Sequence, residues 1–302
     1  MINLSTSAYF ERATRQMGDL RSRANKMQEQ ISTGDRLTRS SDDPVAAARL
    51  RTLSRTQTLS DIDKTNSDRA AADLKLADSA LSSVAEIITR AKELTIQAAN
   101  GIYGETERAT IGMELENLQK SLLLVMNGEN SAGHALFGGQ TSGDSYELQG
   151  GSYAYVGTAQ TTPLDLGEGQ DVIPGVTGPE VLEFEVNGST TDLFAVLGNL
   201  AAVLQDSSQD GTSAANAALD SLDAGLQKVT TAQTVIGARM NWVDLMDTRR
   251  IEASELNADE KATVGGADIA ETTARLQEML TVLEASQASF VRLANLSLFN
   301  MI

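Results

Sequence analysis

The sequence has 302 residues, no cysteine and one histidine, and its 24 basic and 41 acidic side chains give a net charge of −17. Without cysteine there are no disulfides or thiol nucleophiles, and one histidine, His134, is too few for histidine-based zinc or serine–histidine chemistry. The acidic balance argues against nucleic-acid and anionic-membrane partners, since both require basic surface.

The charge is unevenly distributed along the chain. Residues 1–55 carry ten basic and six acidic side chains, whereas residues 121–227 carry fourteen acidic side chains and no lysine or arginine. No apolar run reaches the length of about 18 residues that a membrane helix needs. Residues 1–15 lack the apolar block of a secretory signal, so we expect export, if it occurs, to use another route.

The first predicted element is an N-terminal helix with apolar residues at alternating steps of three and four, the spacing of helices that pack against helices. These residues are Phe10, Ala13, Met17, Leu20, Ala24, Met27 and Ile31. Gly34 ends the helix, because glycine suits the left-handed position past a helix end. Asp43 and Pro44 begin the next helix, with the aspartate as N-cap and the proline at the first helical position.

Four further helices are predicted before the C-terminal one. They cover about 44–100, about 111–125, 193–204 and about 212–259. Apolar residues recur with the helical repeat in the second half of the first of these and throughout the last. Such seams indicate helices that pack on one another.

The segment between residues 131 and 190 has a different character. It holds twelve of the 24 glycines and three of the four prolines. Short β-type runs are predicted at Tyr146–Gln149, Ser152–Val156 and Val181–Val186, with turns between them and at Asn187-Gly188. Gly167–Ile173 looks faintly like one calcium-binding repeat, but a single copy favours a turn. We predict a β-rich outer insert over residues 140–191 that projects from the helical rod and is peripheral to the polymer.

The C-terminal helix, from about residue 267 to residue 302, is apolar on several sides. Its heptad seam is Ile269, Thr273, Leu276, Leu280, Leu283, Gln287, Phe290 and Ala294. A helix that is apolar most of the way round must be buried on most sides. Because a chain end seldom reaches the middle of a domain, we expect other copies of the protein to bury it.

These patterns predict a mainly α protein: a long helical rod with a coiled coil made from both chain ends and a small β-rich inserted domain. The predicted division assigns 1–43 and 267–302 to an inner coiled coil, 44–139 and 192–266 to the rod, and 140–191 to the outer insert. There is no nucleotide-binding glycine loop, nucleophile elbow or metal motif. We therefore predict no catalytic residue, no cofactor and no metal site, and a protein that is not an enzyme.

Short sequence motifs occur in both helical parts of the chain. They are Ile31-Ser32-Thr33-Gly34, Ser41-Asp42-Asp43-Pro44-Val45, Leu136-Phe137-Gly138-Gly139, Gly237–Asn241 and Leu296–Phe299. In combination they resemble the flagellin superfamily, over roughly residues 1–139 and 192–302. The Asp-Asp-Pro and Leu-Phe-Gly-Gly motifs are more similar to the hook–filament junction proteins of that superfamily than to filament flagellins.

The resemblance implies a structural adaptor outside the cell that joins the flagellar hook to the filament. The terminal helices would form the inner coiled coil of a tube, after export of the unfolded chain through the flagellar type III channel. The implied partners are further copies of the chain, hook-associated protein 1, flagellin and a cytosolic export chaperone. The expected assembly seam is Phe10, Met17, Leu20, Met27, Ile31, Leu276, Leu280, Leu283 and Phe290.

Two alternative functions remain open at this point. A short flagellin of the same superfamily would polymerise into the filament itself. A secreted helical effector or adhesin would instead use the β-rich insert to bind a host surface, and its deletion would leave motility normal.

Overall fold

The structure is a computed structural model that describes residues 3–299, with side chains from residue 8 to residue 293. The described helices are α1 (Asn3–Thr33), α2 (Pro44–Ala99), α3 (Glu105–Met126), α4 (Gly178–Leu182), α5 (Leu193–Gln205), α6 (Gly211–Gly265) and α7 (Ile269–Phe299). The described strands are β1 (Tyr146–Gln149), β2 (Ser152–Tyr155), β3 (Leu164–Gly167), β4 (Gln170–Val172), β5 (Glu183–Val186) and β6 (Ser189–Asp192). The predicted fold class, mainly α with long helices from both chain ends and a small β-rich insert, is confirmed.

The chain forms two compact units. Unit 1 contains Met1–Thr58 and Glu252–Ile302, and unit 2 contains Leu59–Ile251. Helices α2 and α6 contribute residues to both units, so the boundary between the units falls inside helices. The predicted division into inner coiled coil, rod and outer insert concerns the assembled protein and stays a prediction.

The core of unit 2 is built on an apolar stripe of α2. Its members recur every three or four residues and have no exposed surface: Ala70, Leu74, Ala77, Leu81, Val84, Ile88, Ala91 and Ala98. Helix α6 runs antiparallel to α2 along this stripe. Arg250 donates to the hydroxyl of Ser67 at 2.8 Å near one end of unit 2. Towards the other end, Lys92 forms an ion pair with Asp223.

Helix α5 packs closely on α3 in the same unit. Gly112 permits the approach, because a Cβ at this position would lie 2.9 Å from the carbonyl oxygen of Ala201. Nearby, the Gln119 side-chain amide donates to the carbonyl oxygen of Phe194 at 2.8 Å. The predicted helix over residues 193–204 is confirmed, with one more residue at its end.

The insert consists of three antiparallel two-stranded sheets: β1 with β2, β3 with β4, and β5 with β6. The predicted strands at 146–149 and 152–156 are confirmed, the second ending at Tyr155. Asn187 and Gly188 have φ values of 52° and 79°, the positive values that a type I′ hairpin turn requires. The predicted glycine-rich turn connects β3 to β4. These two strands were not predicted, because each is too short to show a clear alternating pattern.

The predicted strand over residues 181–186 is wrong in its first part. Residues 183–186 form β5, whereas Val181 and Leu182 belong to α4. A carboxylate oxygen of Glu180 accepts the backbone N–H of Thr177 at 2.7 Å and thereby closes the first helical turn. The apolar pair is therefore buried by one turn of helix and not by a strand.

The insert shares the hydrophobic core of unit 2. Leu166, Val181 and Phe184 are buried in the same cluster as the apolar residues of α2, α3, α5 and α6. The Phe184 ring packs against Gly225 of α6, where a Cβ would lie 3.2 Å from the ring. Within unit 2 the apolar residues of the insert are thus buried against the helices. Its outward position in an assembly stays a prediction.

Phe184→Ala should lower the free energy of unfolding by about 3 kcal/mol or more, because it leaves a cavity between β5 and α6. Urea unfolding followed by circular dichroism measures this change. Leu148→Ala is the matched control within the insert, since Leu148 is 64% exposed on β1. It should change the free energy of unfolding by less than about 0.5 kcal/mol. Equal effects of the two substitutions would contradict a shared core.

Candidate assembly surface

In unit 1, α1 and α7 pack side by side as an antiparallel pair. Near one end of the pair, the rings of Phe10 and Phe290 meet edge to face with their centroids 5.2 Å apart. At the other end, the N–H of Ala267 donates to the carbonyl oxygen of Gly34 at 2.8 Å. The two ends of the chain therefore form a helix pair within a single molecule.

The α1 residues of the expected assembly seam share one property: each is half-buried. They are Phe10, Met17, Leu20, Met27 and Ile31. Half-burial means that contacts within the chain cover only part of each side chain. Apolar area remains available to another copy of the protein, and the role of these residues in assembly stays a prediction.

On α7, the contact with α1 departs from the expected assembly seam at one position, and Ile269 and Gln287 of the wider heptad seam are also exposed. Leu276, Leu283 and Phe290 are half-buried, whereas Leu280 is 43% exposed. Met279 is half-buried in its place. These two residues are adjacent and both apolar, so heptad spacing alone could not choose between them. A step of one residue turns the side chain by about 100° around the helix axis.

Helix α7 exposes apolar side chains on both flanks of its contact with α1. One flank carries Ile269, Leu280 and Val291, with exposed fractions of 43, 43 and 56%. The other carries Val282 and Leu293, with exposed fractions of 46 and 42%. Leu280 and Val282 point roughly 160° apart around the helix. A single partner helix cannot cover both flanks.

The Val282 flank borders a groove of about 640 Å³ between α1 and α7, which Asp19 and Arg23 also line. A second hollow of about 290 Å³ shares Leu20 and Val282 with the first and continues towards Met27. The groove therefore follows one side of the helix pair over several turns. Its lining mixes apolar residues with polar ones such as Asp19 and Arg23, and its size suits the side chains of another helix.

The Asp42-Asp43-Pro44 motif lies in the connection between α1 and α2. Asp43 Oδ1 accepts the N–H of Ala46 at 3.0 Å, which makes Asp43 the N-cap of α2. The predicted helix start at Pro44 is confirmed. Asp43 Oδ2 lies 3.2 Å from the guanidinium of Arg36. The hydrogen bond from Ala46, and after it the one from Arg36, hold the pKa of Asp43 below its ordinary value.

Asp42 ties the same connection back to α1. Its Oδ1 lies 2.9 Å from Nζ of Lys26, and its Oδ2 accepts the backbone N–H of Arg39 at 3.1 Å. The hydrogen bond from Lys26 lowers the pKa of Asp42. Sequence reasoning identified the capping role of Asp43, but it missed this ion pair and also the contact of Arg36.

The Leu136-Phe137-Gly138-Gly139 motif anchors the insert within unit 2. Phe137 has no exposed surface, and its carbonyl oxygen accepts the hydroxyl of Tyr155 at 3.1 Å. Gly139 has a φ of 69° and runs so close to Thr158 that a Cβ would overlap its carbonyl oxygen. Only glycine fits that position. The motif therefore has a structural role inside the subunit.

The described residues offer little that could support chemistry. His134 is exposed, and its backbone N–H donates to the side-chain oxygen of Asn130 at 3.0 Å. Across residues 3–299, no three histidine, aspartate or glutamate side chains come together as ligands for a metal ion. None of the helices that the structure describes is both long enough and apolar enough to cross a membrane. The candidate functional surfaces are therefore the flanks of α7 and the connections between the helices.

Comparison with known proteins relates the chain to flagellar proteins. Residues 4–142 match the family model for the bacterial flagellin N-terminal helical region. The chain is 27% identical to flagellar hook-associated protein 3 of Escherichia coli K12, over 99% of both chains. It is 31% identical to the flagellar filament 41 kDa core protein of Borreliella burgdorferi, over 39% of this chain and 34% of that one.

The fold is also found among solved structures. A flagellar hook-associated protein from Vibrio parahaemolyticus superposes with a TM-score of 0.69 at 24% identity, covering 74% of this chain and 100% of that one. Residues 4–142 are therefore similar to the N-terminal helical region of bacterial flagellins. Along its whole length, the chain is similar to hook-associated protein 3.

Asp43→Asn should remove the charge of the N-cap but keep its hydrogen bond, since asparagine caps helices as well as aspartate does. The folded-state pKa of Asp43 is lowered from the ordinary value of 3.8. The carboxylate therefore stabilises the fold above that value, and the contribution is lost as the pH falls below it. The first turn of α2 should be better protected from hydrogen exchange in the wild type at about pH 6, and this difference should shrink as the pH falls below 3.8.

Hydrogen exchange followed by mass spectrometry, with both proteins compared at each pH, measures this difference. A difference in protection that stays constant across the range would mean that the charge of Asp43 contributes nothing.

Proposed function

We propose that the chain is a structural adaptor of the bacterial flagellum that joins the hook to the filament. The observation that carries this proposal is the similarity to hook-associated protein 3, which extends over nearly the whole of both chains. Similarity to the filament core protein covers less than half of this chain. The place of the protein is outside the cell, at the junction of hook and filament.

The relatives are flagellar structural proteins, which supports assembly with other flagellar components and a role other than that of an enzyme. The adaptor role implies further copies of the chain beside each subunit, hook-associated protein 1 beneath it and flagellin above it. It also implies binding to a cytosolic chaperone before export through the flagellar type III channel. The exposed apolar side chains of α7, together with the groove beside Val282, support protein partners, because exposed apolar grooves mark interaction sites.

Two different flanks on one helix suit a contact that repeats from copy to copy. The Leu280 flank of one copy can pack into the groove beside the Val282 flank of the next. A contact between two unlike surfaces of this kind builds a ring or a helical layer and not a closed dimer. Such a layer can meet the hook with one face and the filament with the other.

Leu280→Asp should block assembly but leave the single chain folded, because Leu280 is exposed and lies outside the contact of α7 with α1. Leu283→Asp should block assembly and also loosen the helix pair, because Leu283 is half-buried in it. In a strain that lacks hook-associated protein 3, each variant should restore at least about tenfold fewer filaments than the wild type, since a charge in an apolar contact is costly. Electron microscopy counts the filaments, and blotting of the medium measures secretion, which should continue.

Thr281→Asp is the matched control for both substitutions. Thr281 is exposed and lies on the side of α7 opposite its contact with α1. The variant should be secreted and should assemble like the wild type. If Leu280→Asp restores as many filaments as Thr281→Asp, the Leu280 flank is not a contact between copies.

The adaptor role also predicts where the protein is found and how it polymerises. Immunogold labelling should mark one thin zone between hook and filament. Purified protein offered its own seeds should not grow long filaments, but it should bind hook tips that carry hook-associated protein 1. The two faces of a junction layer fit different partners, so self-addition along the axis is disfavoured. Micrometre-long filaments of this protein alone, or label along whole filaments, would identify it as a flagellin instead.

A further inference from the structure

In unit 1, two backbone hydrogen bonds form a bridge between the connection from α1 to α2 and the connection from α6 to α7. Residues 34–43 link α1 to α2, and residues 266–268 link α6 to α7. The N–H of Arg36 donates to the carbonyl oxygen of Gly265 at 2.7 Å, and Ala267 bonds to Gly34 in the same antiparallel pattern. Two backbone hydrogen bonds give little resistance to bending, since even an isolated two-stranded hairpin is only marginally stable.

The side chain of Arg36 adds bonds to helix ends on both sides of the bridge. Its Nη2 donates to the carbonyl oxygen of Val264, in the last turn of α6, at 2.9 Å. The same nitrogen donates at 3.2 Å to Oδ2 of Asp43, the N-cap of α2. The carbonyl oxygen of Arg36 accepts the side-chain amide of Gln30, in the last turn of α1, at 2.5 Å. One residue therefore bonds to the ends of three helices.

Electrostatics favour a guanidinium at this position. The carbonyl of Val264 lies at the C-terminal end of α6, where the helix dipole places partial negative charge. The carboxylate of Asp43 adds a full negative charge on the other side. Arginine presents several N–H donors in a rigid plane and keeps its charge at any physiological pH, whereas lysine offers a single point charge on a flexible stem.

We propose that Arg36 is a positioning residue for assembly, which holds the ends of α1, α2 and α6 in the one arrangement that allows copies to join the flagellum. The inference rests on the proposed function. Helix α7 begins three residues after Gly266, so bending at the bridge displaces the flanks that must meet neighbouring copies. Packed apolar contacts tolerate little displacement, because they are as dense as organic crystals.

Arg39 provides a matched control in the same connection. It is exposed, and its guanidinium forms no ion pair with any residue whose side chain the structure describes. Arg39→Ala removes the same charge from the same segment as Arg36→Ala, but it leaves the bonds to Val264 and Asp43 in place. Arg36→Lys keeps the charge but cannot reproduce the planar set of donors.

Distances between spin labels test whether Arg36 fixes the helices. The chain has no cysteine, so labels can be attached at Ser22→Cys on α1 and Thr52→Cys on α2, both exposed positions of unit 1. Arg36→Ala should broaden the distance distribution by about twofold, since the bonds to Val264 and Asp43 are lost and the remaining ties are the marginal backbone bridge, the Gln30 bond and the Lys26–Asp42 ion pair. Arg36→Lys should give an intermediate width, and Arg39→Ala the width of the unsubstituted protein.

Assembly is tested in the strain that lacks hook-associated protein 3. Arg36→Ala should be secreted normally but restore at least about tenfold fewer filaments than Arg39→Ala, since hydrogen bonds to charged groups are lost. An unchanged distance distribution, or a normal number of filaments, would overturn the inference. Failed secretion would overturn it too, because Arg36 would then act in export and not in assembly. If the unsubstituted chain restores no filaments, the proposed function fails, and the label distances still decide whether Arg36 fixes the helices.

Discussion

Burial of the apolar stripe of α2 is the interaction on which the rest of unit 2 depends. Each leucine, isoleucine or valine of the stripe contributes about 1.5–3 kcal/mol by leaving water. Alanines at four of the eight positions of the stripe, such as Ala77 and Ala91, let the covering helices approach closely. The short hairpins of the insert would not be stable alone, and they are held because residues such as Phe184 share this core.

Unit 1 is held together in a different way. Among the side chains that the structure describes, none in the contact between α1 and α7 is as deeply buried as Leu81 of α2: Met17, Leu276 and Leu283 are half-buried. Polar contacts at the helix ends, such as the ion pair of Arg49 with Glu260, provide much of its specificity. Exposed ion pairs of this kind contribute little free energy. Because the apolar contact between α1 and α7 is only partly buried, the helix pair is stabilised further when other copies of the protein cover its exposed apolar surface.

Helix ends that depend on local residue chemistry, and packing faces that depend on a long apolar repeat, were predicted from the sequence. The ends of α1 and α2 follow from Gly34 and Asp43, and the stripe of α2 follows from its period. The prediction was wrong where a strand and a helix would bury the same residues, as for Val181 and Leu182 in α4. Choosing between Met279 and Leu280 required the partner helix. The contacts of Arg36 could not be predicted, because Val264 lies more than two hundred residues away along the chain.

The absence of lysine and arginine between residues 121 and 227 has a consequence for the survival of the protein outside the cell. This stretch contains all six strands, α4, α5 and the first part of α6. Proteases of the trypsin type cleave only after lysine or arginine, so they find no cleavage site there, whether the segment is folded or transiently open. Most protein segments resist such enzymes only while they are folded, because local unfolding exposes their cleavage sites. The middle of this chain is resistant to them by composition.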